Sequence, residues 1–114
     1  MENNLIRDRL LSTIDKSSDV RVRVVGKVTA LDEKIGTFVL SDGASRVTCL
    51  PPLNKSYLPQ TDELVTLVGR VAYADNDEVE IRTDFLEKIS QKDYDSYNKY
   101  LKIRGNLLHD GSGV

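Results

Sequence analysis

The chain has 114 residues, enough for one small domain, and carries 16 basic against 18 acidic side chains for a formal charge of −2. Its pI of about 5.4 lies far below that of domains that hold nucleic acid by charge alone. Cys49 is the single cysteine, and no apolar run approaches the length of a membrane span, so a disulfide framework, a cysteine zinc site and a spanning helix are all excluded. The N-terminal residues mix acids with bases and lack a sustained apolar stretch, so they predict an intracellular, reducing setting.

Apolar residues at Leu5, Ile6, Leu10, Leu11 and Ile14 fall at roughly helical spacing, so residues 1–19 predict a short helix or a docked arm. A barrel is predicted over 20–90. Its first strand runs from Val20 to Leu31, where Val20, Val22 and Val24 alternate with Arg21 and Arg23. Asp32–Gly36 reads as a turn. The stretches 37–41 and 46–50 are joined by Asp42-Gly43, a hairpin signal. All three prolines lie between 51 and 62, which excludes a helix or regular strand there. Strand character returns at Glu63–Tyr73. It resumes at Val79–Leu86, with Val79, Ile81, Thr83 and Phe85 expected on one buried face.

From Asp93 the period changes: Tyr94, Tyr97, Leu101 and Leu108 form a helical stripe, flanked by Tyr100 and Ile103. Asp93 is the expected N-cap and Gly105 the expected stop, giving a helix over 91–105 and a flexible tail over 106–114.

The run Val25-Gly26-Lys27-Val28 recurs as Val68-Gly69-Arg70-Val71. A glycine inside a strand marks a bulge or bend, and closing five strands into a barrel demands such bends. The prediction is an all-β, five-stranded OB-fold Greek-key barrel with a C-terminal α-helix.

Chemistry is sparse. His109 is the one histidine, so triads and paired-histidine metal sites lack a partner. Cys49 alternates with Val47 on a core face and reads as a buried hydrophobe. The acids at 75, 77 and 78 form half of a calcium loop, but Gly at its sixth position and Glu at its twelfth are missing. No catalytic residues, metal or cofactor are predicted, and the chain is expected not to be an enzyme.

In an OB barrel a single strand lies across the second and third strands, between the loops that here are Asp32–Gly36 and Ala74–Glu78. Those loops are acidic, which disfavours phosphates. Phe38 reads as core. The candidate DNA contacts are Arg21, Arg23, Lys34, Arg46 and the stacking residue Tyr73, with Arg21, Arg23, Lys27 and Arg46 as a basic patch on the outer wall. The candidate partner interface is the helix: Tyr94, Tyr97, Tyr100, Leu101, Ile103 and Leu108, a stripe large for so small a barrel that can cover it and still offer a seam to a partner, the alternative being a plug for the barrel's end.

Three runs in order, Phe38-Val-Leu-Ser-Asp-Gly43, Val65-Thr-Leu-Val-Gly-Arg-Val71 and Asp93-Tyr-Asp-Ser-Tyr-Asn-Lys-Tyr-Leu-Lys-Ile103, resemble the small subunit of replication protein A over residues 5–104. The proline-bearing 51–62 linker and the residues after Gly105 depart from that pattern. The resemblance implies a heterotrimer that binds single-stranded DNA in DNA replication, repair and recombination in the nucleus. It also implies that residues 91–105 join helices of the middle and large subunits, which hold most of the DNA. Two alternatives stand beside it. One is the smallest OB-fold subunit of a related telomere-capping trimer, and the other an autonomous single-stranded nucleic-acid-binding module.

Overall fold

The computed structural model describes residues 5–15, 17–52, 58–73 and 78–112, without the side chains of 105–112. Six strands, a 3₁₀ turn and one helix follow in order: β1 (Ile6–Asp8), the turn (Leu11–Thr13), β2 (Arg21–Asp32), β3 (Thr37–Ser41), β4 (Arg46–Leu50), β5 (Leu64–Tyr73), β6 (Val79–Lys88) and α1 (Gln91–Ser112). The sheet order is β1-β2-β3-β4-β6-β5, and pairing of β2 with β5 closes strands β2–β6 into a barrel. The β4–β6 pair is parallel and the other barrel pairs are antiparallel.

Strand β2 is long because it serves two neighbours in turn. Its first half pairs with β5 from Arg21 to Lys27 and its second half with β3 from Lys27 to Asp32. Gly26 sits at this change of partner, where an added Cβ would lie 3.2 Å from Cβ of Leu40. The bend expected there is realised as close approach, and the ladder itself shifts two residues later, between Val28 and Ala30. At Gly69 the register does shift, and a Cβ would stand 2.4 Å from the Arg82 carbonyl oxygen. Only glycine fits that contact.

The core is Val22, Val24, Val28, Phe38, Leu40, Val47, Cys49, Val65, Leu67 and Ile81, with Leu11 of the 3₁₀ turn closing one end. Phe38 and Cys49 are core residues, as their alternation predicts, and burial pushes the Cys49 thiol up beyond its ordinary range. Val20 is exposed: it lies just before β2, where its carbonyl still accepts the Val71 N–H (2.9 Å) but its side chain falls outside the core. The Asp42-Gly43 signal corresponds to a four-residue hairpin loop in which the Asp42 carboxylate accepts N–H bonds from Ala44 (2.9 Å) and Ser45 (2.8 Å). Gly43 there takes φ +93°.

Of the two forms its spacing allowed, the N-terminal segment takes the docked arm and not the helix. Ile6–Asp8 pairs in parallel with Arg21–Arg23 of β2, so strand hydrogen bonds along an open edge replace helical ones. Asp19, with a fully buried side chain, clamps this arm through two bonds from Arg9 (2.9 and 3.0 Å).

A correction concerns β6. Val68 pairs with Phe85 but Gly69 pairs with Thr83, so Asp84 is an extra, bulged residue. The bulge reverses the alternation. Leu86 turns toward the core, and Phe85, expected inside, faces out at 52% exposure.

Candidate partner and nucleic-acid interfaces

Helix α1 begins one residue after Ser90, not at Asp93. The Ser90 hydroxyl accepts the Asp93 N–H (3.1 Å), and Asp93 adds its negative charge to the first turn. The backbone helix continues through Gly105 to Ser112, past the expected stop. Lys102 and Arg104 suit the dipole of a helix that ends nearby, but Gly105 adopts helical geometry here.

The helix packs on β2 and β5. Val25, Val68 and Leu101 are buried yet stand outside the barrel core, which identifies them as the helix–barrel contact. The Tyr97 hydroxyl donates to the Asp8 carboxylate on β1, and Asp8 also lies 3.9 Å from Arg23 and 3.8 Å from Arg104. Burial, and then the Asp8 carboxylate, push the Tyr97 phenol above its usual range.

The predicted partner stripe is therefore divided. Leu101, at 5% exposure, is occupied within its own chain, and Tyr97 is held by Asp8; neither is free for a partner helix. Tyr94 is half-buried and lies beside Lys27 and Gln91. Tyr100 and Ile103, at 55% and 50% exposure, are apolar groups three residues apart that the barrel leaves uncovered. The side chain of Leu108 lies outside the described residues.

The predicted basic patch is also divided. Arg21, Arg23, Val25 and Lys27 share the outer face of β2, but the helix covers Val25 and separates the two arginines from Lys27. Arg21 is bound to Asp84 (3.0 Å) and Arg23 approaches Asp8. Lys27, Ser41 and Arg46 form a row across β2, β3 and β4 instead. Arg46 borders a groove of about 560 Å³ lined by Ile14, Val39, Thr48, Glu78 and Val79. This groove lies on the face where OB barrels take single strands. One arginine and one carboxylate line it, and no aromatic does among the described residues. Lys34 is exposed in the β2–β3 turn, and Tyr73 is exposed at the end of β5. Residues 74–77 of the second acidic loop lie outside the described set.

Two features escaped sequence reasoning. The outward turn of Phe85 depends on the bulge, for which Asp84, a poor strand former inside a strand, was the available signal. The Asp8 junction depends on two segments at opposite ends of the chain and had no sequence signal.

This chain is similar to solved structures of known function. The crystal structure of the telomere-capping protein Ten1 from S. pombe superposes with TM-score 0.69 at 21% identity, covering 90% of this chain and 99% of that one. The fold is an OB-fold. The S. pombe Stn1–Ten1 complex gives TM-score 0.68 at 22% identity, covering 92% of this chain and 96% of the other. A replication protein A heterotrimer bound to single-stranded DNA gives 0.63 at 11% identity, covering 78% and 73%. No protein-family model and no curated protein sequence matches the chain.

Proposed function

We propose that this chain is a non-catalytic OB-fold subunit that joins a larger OB-fold partner in a nuclear assembly acting on single-stranded DNA at chromosome ends, in the manner of Ten1. One observation carries the reading: the likeness to Ten1 extends over nearly the full length of both chains. The likeness to the replication protein A heterotrimer covers less of each. The mechanism is assembly. The barrel and Asp8 fix α1 through Leu101 and Tyr97, and the outward Tyr100 and Ile103 supply an apolar seam for a partner helix. The mild acidity of the chain fits a subunit that leaves most phosphate contacts to its partner.

The second reading is the small subunit of a replication protein A-like trimer, favoured by the three sequence runs described above. Co-expression separates the two. The chain is expected to co-purify with an Stn1-type partner, and Tyr100→Glu with Ile103→Glu should abolish capture while the barrel stays folded. Capture by the middle subunit of replication protein A instead would transfer the chain to the second reading. Capture by neither, or capture that survives deletion of 91–114, overturns the assembly role of the helix.

A further inference from the structure

Three arginines stand side by side on the outer wall of the barrel. Arg82 on β6 is the register partner of Arg70 on β5, and Arg70 is the partner of Arg21 on β2. Directly paired residues project from the same face with Cα atoms about 5 Å apart, and like charges so placed repel. A folded protein gains nothing in stability from this row. Asp84 binds Arg21 at 3.0 Å; among the described residues, no carboxylate lies within 4 Å of the Arg70 or Arg82 guanidinium. Glu80, two residues before Arg82 on the same face of β6, is the other carboxylate beside the row, so three guanidiniums face two carboxylates and positive charge remains in excess.

The adjoining row of the same wall presents Phe85 against Val68. The bulge at Asp84 places both features. The same extra residue that binds Arg21 turns the half-exposed Phe85 ring to the arginine side of the sheet. Bulges commonly re-aim side chains at binding sites. Cations that track a backbone beside an aromatic face on which a base stacks are the elements of sequence-tolerant single-strand recognition. The groove bordered by Arg46 has neither the charge excess nor the ring.

We propose that the β2–β5–β6 wall is a binding site for single-stranded nucleic acid, separate from the Arg46 groove. Arg82, Arg70 and Arg21 take about two phosphates, and Phe85 stacks on one base. The site is short and weak by itself. It acts as an auxiliary contact that holds the strand along this subunit once larger partners have engaged it. The inference rests on the reading that the assembly works on single-stranded DNA.

The test uses the full-length chain and a short fluorescein-labelled single strand of mixed sequence, followed by anisotropy between about 50 and 200 mM salt. The expected salt slope is about −1.4, from about −0.7 per phosphate. Arg70→Glu with Arg82→Glu should weaken binding about tenfold and flatten that slope, whereas Arg46→Glu should change affinity less than about twofold. Phe85→Ala should weaken binding about tenfold on the base-bearing strand and leave an abasic strand unaffected. Arg70→Gln with Arg82→Gln, checked by circular dichroism, repeats the test without reversing charge. Loss of binding in Arg46→Glu but not in the double variant overturns the proposal. So does the absence of binding at the lowest salt, or tighter binding of a glutamate-rich peptide than of DNA. Capture of the partner through Tyr100 and Ile103 should persist in the arginine variants. Successful capture without strand binding would thus sink this inference alone, and failure of both would sink the assembly reading with it.

Discussion

The Tyr97 hydroxyl, in the second turn of α1, donates to the carboxylate of Asp8, a residue 89 positions earlier on β1. The bond joins the two ends of the chain across the outside of the barrel. Arg23 and Arg104 stand around the same carboxylate, so strand, arm and helix share one polar junction. The face of α1 presented to a partner is set by this junction together with the burial of Leu101.

Removal of the hydroxyl should loosen the helix without unfolding the barrel. Tyr97→Phe is expected to cost about 1 kcal/mol, and Asp8→Ala somewhat more because Arg23 and Arg104 lose their shared anion. A double-mutant cycle on urea unfolding should show the two residues coupled. The folded-state phenol is raised above its ordinary value, so its contribution is complete below about pH 10 and is lost as pH rises beyond it. Tyr97 should therefore ionise above the ordinary tyrosine range in a spectrophotometric titration, a phase absent from Tyr97→Phe, and that variant should flatten the alkaline limb of stability.

Acid should act at the opposite end of the arm. Burial resists ionisation of Asp19, but the paired Arg9 bonds and the Asp15 N–H (2.9 Å) outweigh it and hold the carboxyl below its usual range. A lowered folded-state value gives stability that is present above about pH 4 and lost as pH falls through it. Arg9→Ala leaves a buried carboxylate without its main partner, at a cost of about 3 kcal/mol. Urea midpoints measured from neutral to acid pH should show a smaller acid-dependent loss in that variant than in the parent.

The two repeated glycines should respond differently to alanine. At Gly69 the new methyl meets a backbone oxygen at 2.4 Å, in the ladder that also contains the Asp84 bulge. Gly69→Ala is expected to lose about 3 kcal/mol or fail to fold. At Gly26 the nearest atom is a side-chain carbon at 3.2 Å, and Gly26→Ala should be clearly the milder change. Thermal unfolding of the pair gives the comparison, and equal losses would refute it.

Cys49 should behave as a core atom and not as a reagent. Its thiol is buried and its ionisation suppressed, so a water-soluble disulfide reagent should label it only after unfolding. Cys49→Ser places a hydroxyl among Phe38, Leu40 and Val47 and should cost about 1–3 kcal/mol. Rapid labelling of the native chain would contradict the packing.

Most of the barrel was legible because period-two alternation is a local property. Val22/Val24, Phe38/Leu40 and Val47/Cys49 each declare a buried face without knowledge of the neighbouring strand. Phe85 was misread for the same reason. Alternation assumes an unbroken ladder, and one inserted residue, Asp84, inverts everything after it. The arm stayed open between a helix and a docked segment because Leu5, Ile6 and Leu10 fit both, and the choice belonged to the open edge of β2. Of the candidate interface, the sequence located the helix and could not say which side of it the barrel would cover.

The sequence by itself determined the length, the charge of −2, the single cysteine and histidine, and, through its alternating strands, a small barrel. Tertiary structure decided the rest. Docking of α1 on Val25 and Val68 withdrew Leu101 and left Tyr100 and Ile103 outside. Closure of β2 on β5 placed Arg21, Arg70 and Arg82 in one row although 61 positions separate the first from the last. Composition counts charges along a chain, whereas a binding surface depends on which strands lie about 5 Å apart. The net acidity of the chain and the row of arginines on its barrel are compatible for that reason.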